Sequence, residues 1–226
     1  MRFLRTHLRS VGVASACVLF SVVAWTGCGG EADSERDGPL SIVAGDGELT
    51  LRPSAKPRFR SFGYGLCTKG EGQGVVSTIR KVRYSASVEP LQFIPAIRRV
   101  GRSEVVMKSK TEVAPPFELF QSAYGRPKAG WTEFGAEPGA AANRGHYILD
   151  LEGYKVRRSC KNTGDPAKGI LDFIYSVEAG AKGAKIEEVM VDYTAGGRDY
   201  TAELKWAVTI CGSALNKADR VACAKS

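Results

Sequence analysis

The sequence predicts an all-β protein: an antiparallel β-sandwich that is immunoglobulin-like in general architecture. Many short segments alternate apolar and polar residues with a period of two, as half-buried strands do. Gly, Asn and Asp separate these segments at intervals of roughly ten to fifteen residues, a spacing typical of sandwiches. No long amphipathic helical pattern accompanies them, which also favours the all-β class.

The clearest element is a hairpin near the C-terminus. In residues 189–193, Val189, Val191 and Tyr193 share one face of a strand. The Gly196-Gly197 pair that follows can adopt the positive φ values of a two-residue turn, so we expect the chain to reverse there. The returning segment is expected to bury a stripe made of Leu204, Trp206, Val208 and Ile210.

Seven further segments carry strand patterns, and one carries a helical pattern. The expected strands span 48–52, 58–67, 75–85, 91–98, 104–111, 147–158 and 170–177. In the last of these, alternate residues from Leu171 to Val177 point to one face. The expected helix is short and spans 213–222, after Gly212.

The largest irregular stretch is 115–145, and it gives the candidate ligand-binding residues. Long loops in compact domains are commonly functional. Tyr124, Arg126 and Trp131 lie in this stretch, and aromatic rings beside arginine suit sugars, peptides and anions. The alternative is that the loop aromatics only cover one open end of the sandwich.

A short sequence echo leaves open a division into two related halves near 115–145. Gly63-Tyr64 and Gly153-Tyr154 each precede a cysteine, a polar turn and a strand. One sandwich and two small domains are therefore both compatible with the length of the foldable part.

Residues 1–27 have the composition of a secretory signal peptide. Arg2, Arg5 and Arg9 make the first ten residues basic, and residues 11–25 are uncharged and mostly apolar. This run is shorter than the roughly 20 apolar residues that a membrane-spanning helix needs. The next residues are small and acidic, so we interpret 28–39 as a flexible tether and 40–226 as the folded domain.

The segment Trp25-Thr26-Gly27-Cys28 resembles the processing site of bacterial lipoproteins, in which a small residue precedes a cysteine at the end of the signal. The resemblance covers residues 1–30, and Trp25 stands where the family usually has Leu. It implies cleavage after Gly27 and a diacylglyceryl thioether on Cys28. The alternative is ordinary signal cleavage nearby, with Cys28 as a thiol or a disulfide partner.

The cysteine count favours lipidation of Cys28. Of the six cysteines, Cys17 leaves with the signal. If Cys28 carries lipid, an even set remains that can form two disulfides in an oxidising compartment. That set comprises Cys67, Cys160, Cys211 and Cys223. Sequence leaves three pairings open, one of which joins Cys67 to Cys160 and Cys211 to Cys223.

The residue types present argue against most enzyme classes. After removal of the signal, His146 is the single histidine, which excludes a multi-histidine metal site. There is no G-x-S-x-G elbow, no phosphate-binding loop and no cofactor motif, and we interpret residues 70–74 as a glycine-rich turn. We therefore expect no metal, no cofactor and no catalytic residues.

Charge points to a partner of the opposite sign. The chain has a formal charge of +8, and the segment from residue 40 keeps it because residues 1–39 carry equal numbers of basic and acidic side chains. The basic clusters 80–83, 98–102 and 108–110 form one cationic face if their strands are adjacent, or separate solvated faces otherwise. No nucleic-acid-binding motif occurs.

We expect a lipid-anchored, non-catalytic protein of the cell envelope. It would be held by Cys28 on the outer face of the cytoplasmic membrane or on the outer membrane, and its basic sandwich would bind an envelope protein, an anionic polymer or the membrane surface. The alternative is an envelope hydrolase that uses carboxylates assembled by the fold.

Overall fold

A computed structural model describes residues 38–44, 47–53, 59–69, 75–105, 122–135, 143–163, 165 and 168–225. Cys28 and the glycine-rich segment 70–74 lie outside the described residues. All of these described residues belong to one compact unit, Asp33–Ser226.

Two β-sheets pack against each other, which confirms the β-sandwich. In the first sheet the order is β1-β3-β10-β5-β8-β7, and β6 also pairs with β3. Its strands are β1 (Leu40–Val43), β3 (Phe59–Thr68), β5 (Gln92–Val100), β6 (Ser122–Tyr124), β7 (Gly130–Phe134), β8 (Asn143–Ile148) and β10 (Ile170–Glu178).

In the second sheet the order is β2-β13-β11-β4-β9, and β12 also pairs with β11. Its strands are β2 (Gly47–Leu51), β4 (Ser77–Val88), β9 (Lys155–Val156), β11 (Ala184–Ala195), β12 (Arg198–Leu204) and β13 (Trp206–Ile210). The pairing of β13 with β2 is parallel, whereas the sequence pattern predicts antiparallel pairs throughout.

The main core fills the space between the sheets. On β10 the alternation predicted from sequence is confirmed, since Leu171, Phe173, Tyr175 and Val177 all belong to this core. β11 contributes Val189, Val191 and Tyr193 from the opposite sheet, also as the sequence predicts. β10 is unusual because its other face is buried as well.

The predicted hairpin is confirmed, with one irregularity. β11 pairs with β12 across Gly196 and Gly197, whose φ values of 57° and 78° are those of a glycine turn. The register then shifts by one residue, since Leu204 faces Val189 but Val208 faces Ile186. This bulge separates β12 from β13 and leaves Trp206 half-buried, so Trp206 departs from the predicted buried stripe.

Two predicted strands are wrong in part. The segment 147–158 is divided, because after β8 the chain makes a turn in which Tyr154 N–H donates to the Leu151 carbonyl and Gly153 has a φ of 75°. The segment 104–111 does not begin as a strand, since Glu104 N–H donates to the Gly101 carbonyl in a turn. Residues 106–111 lie outside the described residues.

The stretch 115–145 is less irregular than its composition suggests, because it contains β6, β7 and the start of β8. Residues of these strands bury a second, small core together with residues of β5 and β10. Phe134 packs edge-on against Tyr147, with ring centroids 5.2 Å apart. The small core also comprises Ala96, Ala123 and Ile174.

The sequence leaves open whether the basic clusters share one cationic face or lie on separate faces, and the clusters of β4 and β5 lie on separate sheets. β4, with Arg80 and Arg83, belongs to one sheet, and β5 belongs to the other. Arg98 is fully buried on β5 and pairs with Asp172. Lys108 and Lys110 lie outside the described residues.

The two disulfides adopt one of the three pairings that the sequence leaves open. In this pairing one of the bonds closes a local loop at the C-terminus. Cys67 joins Cys160 with a Cα–Cα distance of 4.9 Å, and Cys211 joins Cys223 at 5.7 Å. The second bond holds helix α1 (Lys217–Lys225), which starts later than predicted because Asn216 Oδ1 accepts the Asp219 N–H and caps it. Among the described residues, no helix is both long and apolar enough to cross a membrane.

Candidate ligand-binding cleft

A cleft of about 410 Å³ opens where the edges of the two sheets meet. The first sheet contributes Phe62 and Tyr64 from β3, and the second contributes Leu49 from β2 and Trp206 from β13. The Tyr64 and Trp206 rings lie 6.4 Å apart at 57°. The complete described lining is Ala44, Leu49, Phe62, Gly63, Tyr64, Ser122 and Trp206. None of these side chains is charged, so the cleft suits a neutral ligand with an apolar face.

The backbone of β3 passes along the cleft at Gly63. Lys69 N–H donates to Pro39 and the Phe59 carbonyl accepts from Gly125, so odd-numbered residues of β3 point toward the β1 and β6 edge. Within the described residues, β1 pairs with β3 only from Gly65 onwards and β6 pairs only up to Phe62. Gly63 lies between these two described pairings and is one of the residues that line the cleft.

A tyrosine pair lies beneath the cleft. The Tyr64 ring stacks on Tyr175 at 6.0 Å between centroids. Burial raises the pKa of the Tyr64 hydroxyl to about 12, and the neighbouring Tyr175 hydroxyl offsets part of this rise. Burial also raises the pKa of Tyr175 well above its ordinary value. Both phenols therefore remain neutral at physiological pH and can act as hydrogen-bond donors.

Two of the three ligand residues predicted from sequence lie near each other. Tyr124, on β6, carries the Arg60 guanidinium 3.6 Å from its ring centroid. Arg126 follows two residues later and places its own guanidinium 5.0 Å from the Phe59 ring centroid. Because Phe59 and Arg60 are consecutive on β3, their side chains point to opposite faces of the sheet, so the two cation–π pairs are separate contacts. Tyr124 is half-buried and Arg126 is exposed, and both follow the cleft residue Ser122 closely in sequence.

Trp131 lies on β7, a different strand from the β6 strand that carries Tyr124. It is 47% exposed on β7, at the end of the first sheet. Its cross-strand partner is His146 on β8. Because β8 pairs on both sides, His146 is not the edge residue that its sequence position suggests. A ligand-binding role for Tyr124, Arg126 and Trp131 stays a prediction.

A buried polar face backs the first sheet. Arg98 and Asp172 pair directly across β5 and β10, with Arg98 Nη1 3.2 Å from Asp172 Oδ2. Arg98 Nε also donates to the Arg144 carbonyl at 3.0 Å. Further along, the Ser61 and Ser176 hydroxyl oxygens lie 2.6 Å apart. These groups satisfy one another inside the fold, so they serve packing and strand register.

Several of the described carboxylates are held by cations. Asp192 accepts two hydrogen bonds from Arg83, which hold the pKa of its carboxyl below the ordinary value. Glu48 and Asp219 converge at 4.0 Å and 2.7 Å from the Lys185 ammonium, which lies between them. In the described part of the chain, no group of three or more His, Cys, Asp or Glu could hold a metal ion.

Sequence reasoning did not single out the residues of the cleft. Trp206 was assigned to a buried stripe, and Tyr64 was noted only for its echo of Tyr154. The available signal was Gly63-Tyr64-Gly65, because two glycines flanking an aromatic residue inside a strand often indicate close approach of another group. No protein-family model matches the chain, and the search of curated proteins gives no significant match.

Proposed function

We propose that the chain is a lipid-anchored, non-catalytic protein of the bacterial cell envelope, and that its β-sandwich binds a neutral envelope ligand in the cleft between the sheets. The signal-like N-terminus and Cys28 support export and anchoring. Two disulfide pairs are compatible with an oxidising compartment.

The cleft is the observation that carries the binding role. It has apolar walls from Phe62, Leu49 and the Tyr64 and Trp206 rings, and Ser122 adds a polar side chain. Aromatic walls with a few polar groups are typical of small-molecule sites, and the volume lies within their usual range. A ligand with one flat apolar face and a hydrogen-bonding edge fits this chemistry.

Tryptophan fluorescence provides a direct test. The chain from residue 28 contains two tryptophans, Trp131 and Trp206, so a Trp131→Phe variant reports on the cleft alone. We expect the neutral probe N-phenyl-1-naphthylamine to quench Trp206 with a saturable, one-to-one curve. Trp206→Ala, read by probe fluorescence, should weaken binding at least about tenfold, a loss of about 1.4 kcal/mol.

Trp131→Ala is the matched control, because it removes an indole that lies on the other sheet and is not among the described residues that line the cleft. Its probe affinity should equal that of the parent chain. Equal losses in the two alanine variants, or quenching that never saturates, would show that the cleft is not a binding site.

The anchoring claim has a separate test. Cys28→Ser should release the protein from the membrane fraction, and the N-terminal peptide of the parent should carry the mass of a diacylglyceryl group. Membrane retention of the Cys28→Ser protein, together with an unmodified peptide mass, would contradict lipidation.

The alternative of an envelope hydrolase rests on Glu48 and Asp219, which converge on Lys185. The Lys185 ammonium neutralises them, an arrangement that favours a structural tie between α1, β2 and β11. Hydrolysis of envelope polymers by the purified chain, abolished by Asp219→Asn, would support the hydrolase.

A further inference from the structure

We propose that one end of the sandwich, the end at which the tether joins the domain, docks onto the anionic lipid headgroups of the membrane. This inference rests on the proposed anchoring at Cys28 and names the surface that the anchored domain turns toward the bilayer. We call this surface the tether end; its described residues are 38–39, 69, 75–77, 99–105, 155–163, 165, 168–169 and 196–199.

The point at which the tether joins the domain is fixed by hydrogen bonds. Leu40, the first residue of β1, pairs with Thr68 at the end of β3. The Pro39 carbonyl accepts the Lys69 N–H at 2.6 Å, and the Leu40 N–H donates to the Tyr193 hydroxyl at 3.0 Å. The tether therefore meets the folded domain beside the last residues of β3.

Several other elements finish or turn at the same end. Thr68 N–H donates to the Arg158 carbonyl at 2.7 Å, which brings the segment after β9 against β3. Val156 pairs with Ser77, and Ser77 pairs with Ala195 just before the Gly196-Gly197 turn. The Cys67–Cys160 disulfide adds a covalent link at this end.

Among the residues of the tether end that the structure describes, cations outnumber carboxylates. The cationic side chains are Lys69, Arg99, Arg102, Lys155, Arg157, Arg158, Lys161, Lys168 and Arg198, and all except Arg158 are exposed. The carboxylates on this end are Glu104, Asp165 and Asp199.

Arg158 has a structural role within the tether end. Its guanidinium donates to the Asn162 carbonyl at 2.6 Å and to the Lys168 carbonyl at 3.2 Å. Burial lowers its pKa, and the nearby Asp172 and Asp165 oppose that change. Arg158 thus holds the loop on which Lys161 and Lys168 are displayed.

The length of the tether favours a lipid surface over a distant partner. Ten residue steps from Cys28 to Gly38 span at most about 35 Å even when fully extended. An anchored domain therefore stays close to the bilayer, and the cations nearest to the tether are the first to meet it. Each Lys or Arg near an anionic leaflet contributes about 1 kcal/mol of attraction. The tether carries four acidic residues and one basic residue, Arg36, so its net charge is negative and the attraction must come from the folded domain.

The chain supplies a matched control at the other end of the sandwich. Helix α1 carries the exposed residues Lys217, Arg220 and Lys225 and is tied to the start of β11 by the Lys185–Asp219 bond. The tether end lies at the opposite end of β11, which has twelve residues and a length of about 35 Å. This distance exceeds the Debye length of about 8 Å at physiological salt.

The test uses the chain from residue 28 with Cys28→Ser, so that no lipid contributes to binding. Flotation with vesicles is measured for phosphatidylcholine alone and for phosphatidylcholine mixed with phosphatidylglycerol. We expect binding only to the mixed vesicles, and weaker binding as salt rises. Neutralising Lys69, Lys155 and Arg157 to Gln should lower the partition coefficient on the order of 100-fold, since each charge contributes about fivefold.

The same three-charge neutralisation on α1, at Lys217, Arg220 and Lys225, should change binding less than about threefold. Equal losses in the two triple variants would overturn the proposal, because binding would then follow net charge. Retention on soluble heparin that is lost with the tether-end variant, without any vesicle binding, would overturn it in favour of a polyanion partner. Failure of lipidation at Cys28 is read separately, from the mass of the N-terminal peptide.

Discussion

The buried Arg98–Asp172 pair gives the most demanding stability prediction. Asp172→Ala removes the carboxylate and leaves the Arg98 guanidinium inside the fold with the Arg144 carbonyl as its described partner on Nε. The matched double variant, Arg98→Met with Asp172→Leu, removes both charges and fills the space with apolar groups of similar size.

The expected magnitude follows from the geometry. The two side chains are 0% and 1% exposed, and their charged atoms lie 3.2 Å apart. With an effective dielectric constant near 20, this separation corresponds to an attraction of about 5 kcal/mol before desolvation. Removing one partner from such a pair typically costs about 3–5 kcal/mol, because an uncompensated charge stays buried. In a domain of this size the melting temperature should fall by roughly 6–20 °C.

Urea unfolding monitored by circular dichroism measures these changes. The single variant should lose about 3–5 kcal/mol, whereas the double variant should lie within about 2 kcal/mol of the parent. The reasoning is refuted if Asp172→Ala costs less than about 1 kcal/mol, or if the double variant loses the sum of the two single variants. If Asp172→Ala does not fold, recovery of folding in the double variant carries the same information.

Three further predictions concern the cross-links, pH and the hairpin. Replacing Cys67 and Cys160 with Ser should lower the free energy of unfolding by about 4.5 kcal/mol, and replacing Cys211 and Cys223 should lower it by about 3 kcal/mol. The first bond costs more because it spans 93 residues and the second spans 12. Chemical denaturation of both variants checks this order. The pKa of Tyr64 is raised to about 12 in the folded protein, so the neutral phenol contributes its full stabilisation below pH 10. That stabilisation is lost as the pH rises through 12. The Tyr64→Phe variant should lack this loss of stability when unfolding is followed at alkaline pH. Gly197→Ala should lower stability by about 1 kcal/mol, because the φ of 78° is strained for alanine. No neighbouring atom would contact the added methyl group, so backbone strain alone would cause the loss. Equal stability of the two proteins in thermal melts would contradict this.

Sequence patterns predicted the fold where one face of a strand is buried and the other is not. Val189, Val191 and Tyr193 alternate with polar residues, and the following glycine pair turns the chain as expected. β10 was also predicted, but the burial of its second face was not, because Asp172 and Ser176 have the polarity of solvent-facing residues. Their burial depends on partners distant in sequence, Arg98 and Ser61.

The errors in the sequence interpretation have local causes. Glu104 and Gly153 are in turns that interrupt otherwise strand-like composition, and short turns of this kind leave little signal in hydrophobic periodicity. The sequence pattern did not predict β6 and β7 as strands, because Pro and Gly residues flank them. In the structure β6 pairs with β3 and β7 pairs with β8. The sequence left open whether the basic clusters share one face, because adjacency along the chain does not determine which sheet a strand joins.

The candidate cleft could not be predicted because residues far apart in sequence form it. Leu49 and Trp206 come together through the parallel pairing of β2 with β13, and Tyr64 reaches them only when the sheets pack. A parallel pair leaves no hairpin signature, so no local motif connects its two strands. Trp206 follows the bulge and is half-buried. It packs against the main core and also lines the cleft.

The proposed ligand-binding cleft and the proposed membrane-docking tether end are compatible because they lie at different positions along β3. Gly63 faces the cleft, and Lys69 lies on the tether end six residues later, about 20 Å along the strand. With the tether end against the headgroups, the cleft would open well above the Debye layer, where the charge of the bilayer is screened. A neutral ligand would therefore approach the cleft without electrostatic help or hindrance from the membrane. The cationic end would supply orientation, and the uncharged cleft would supply recognition.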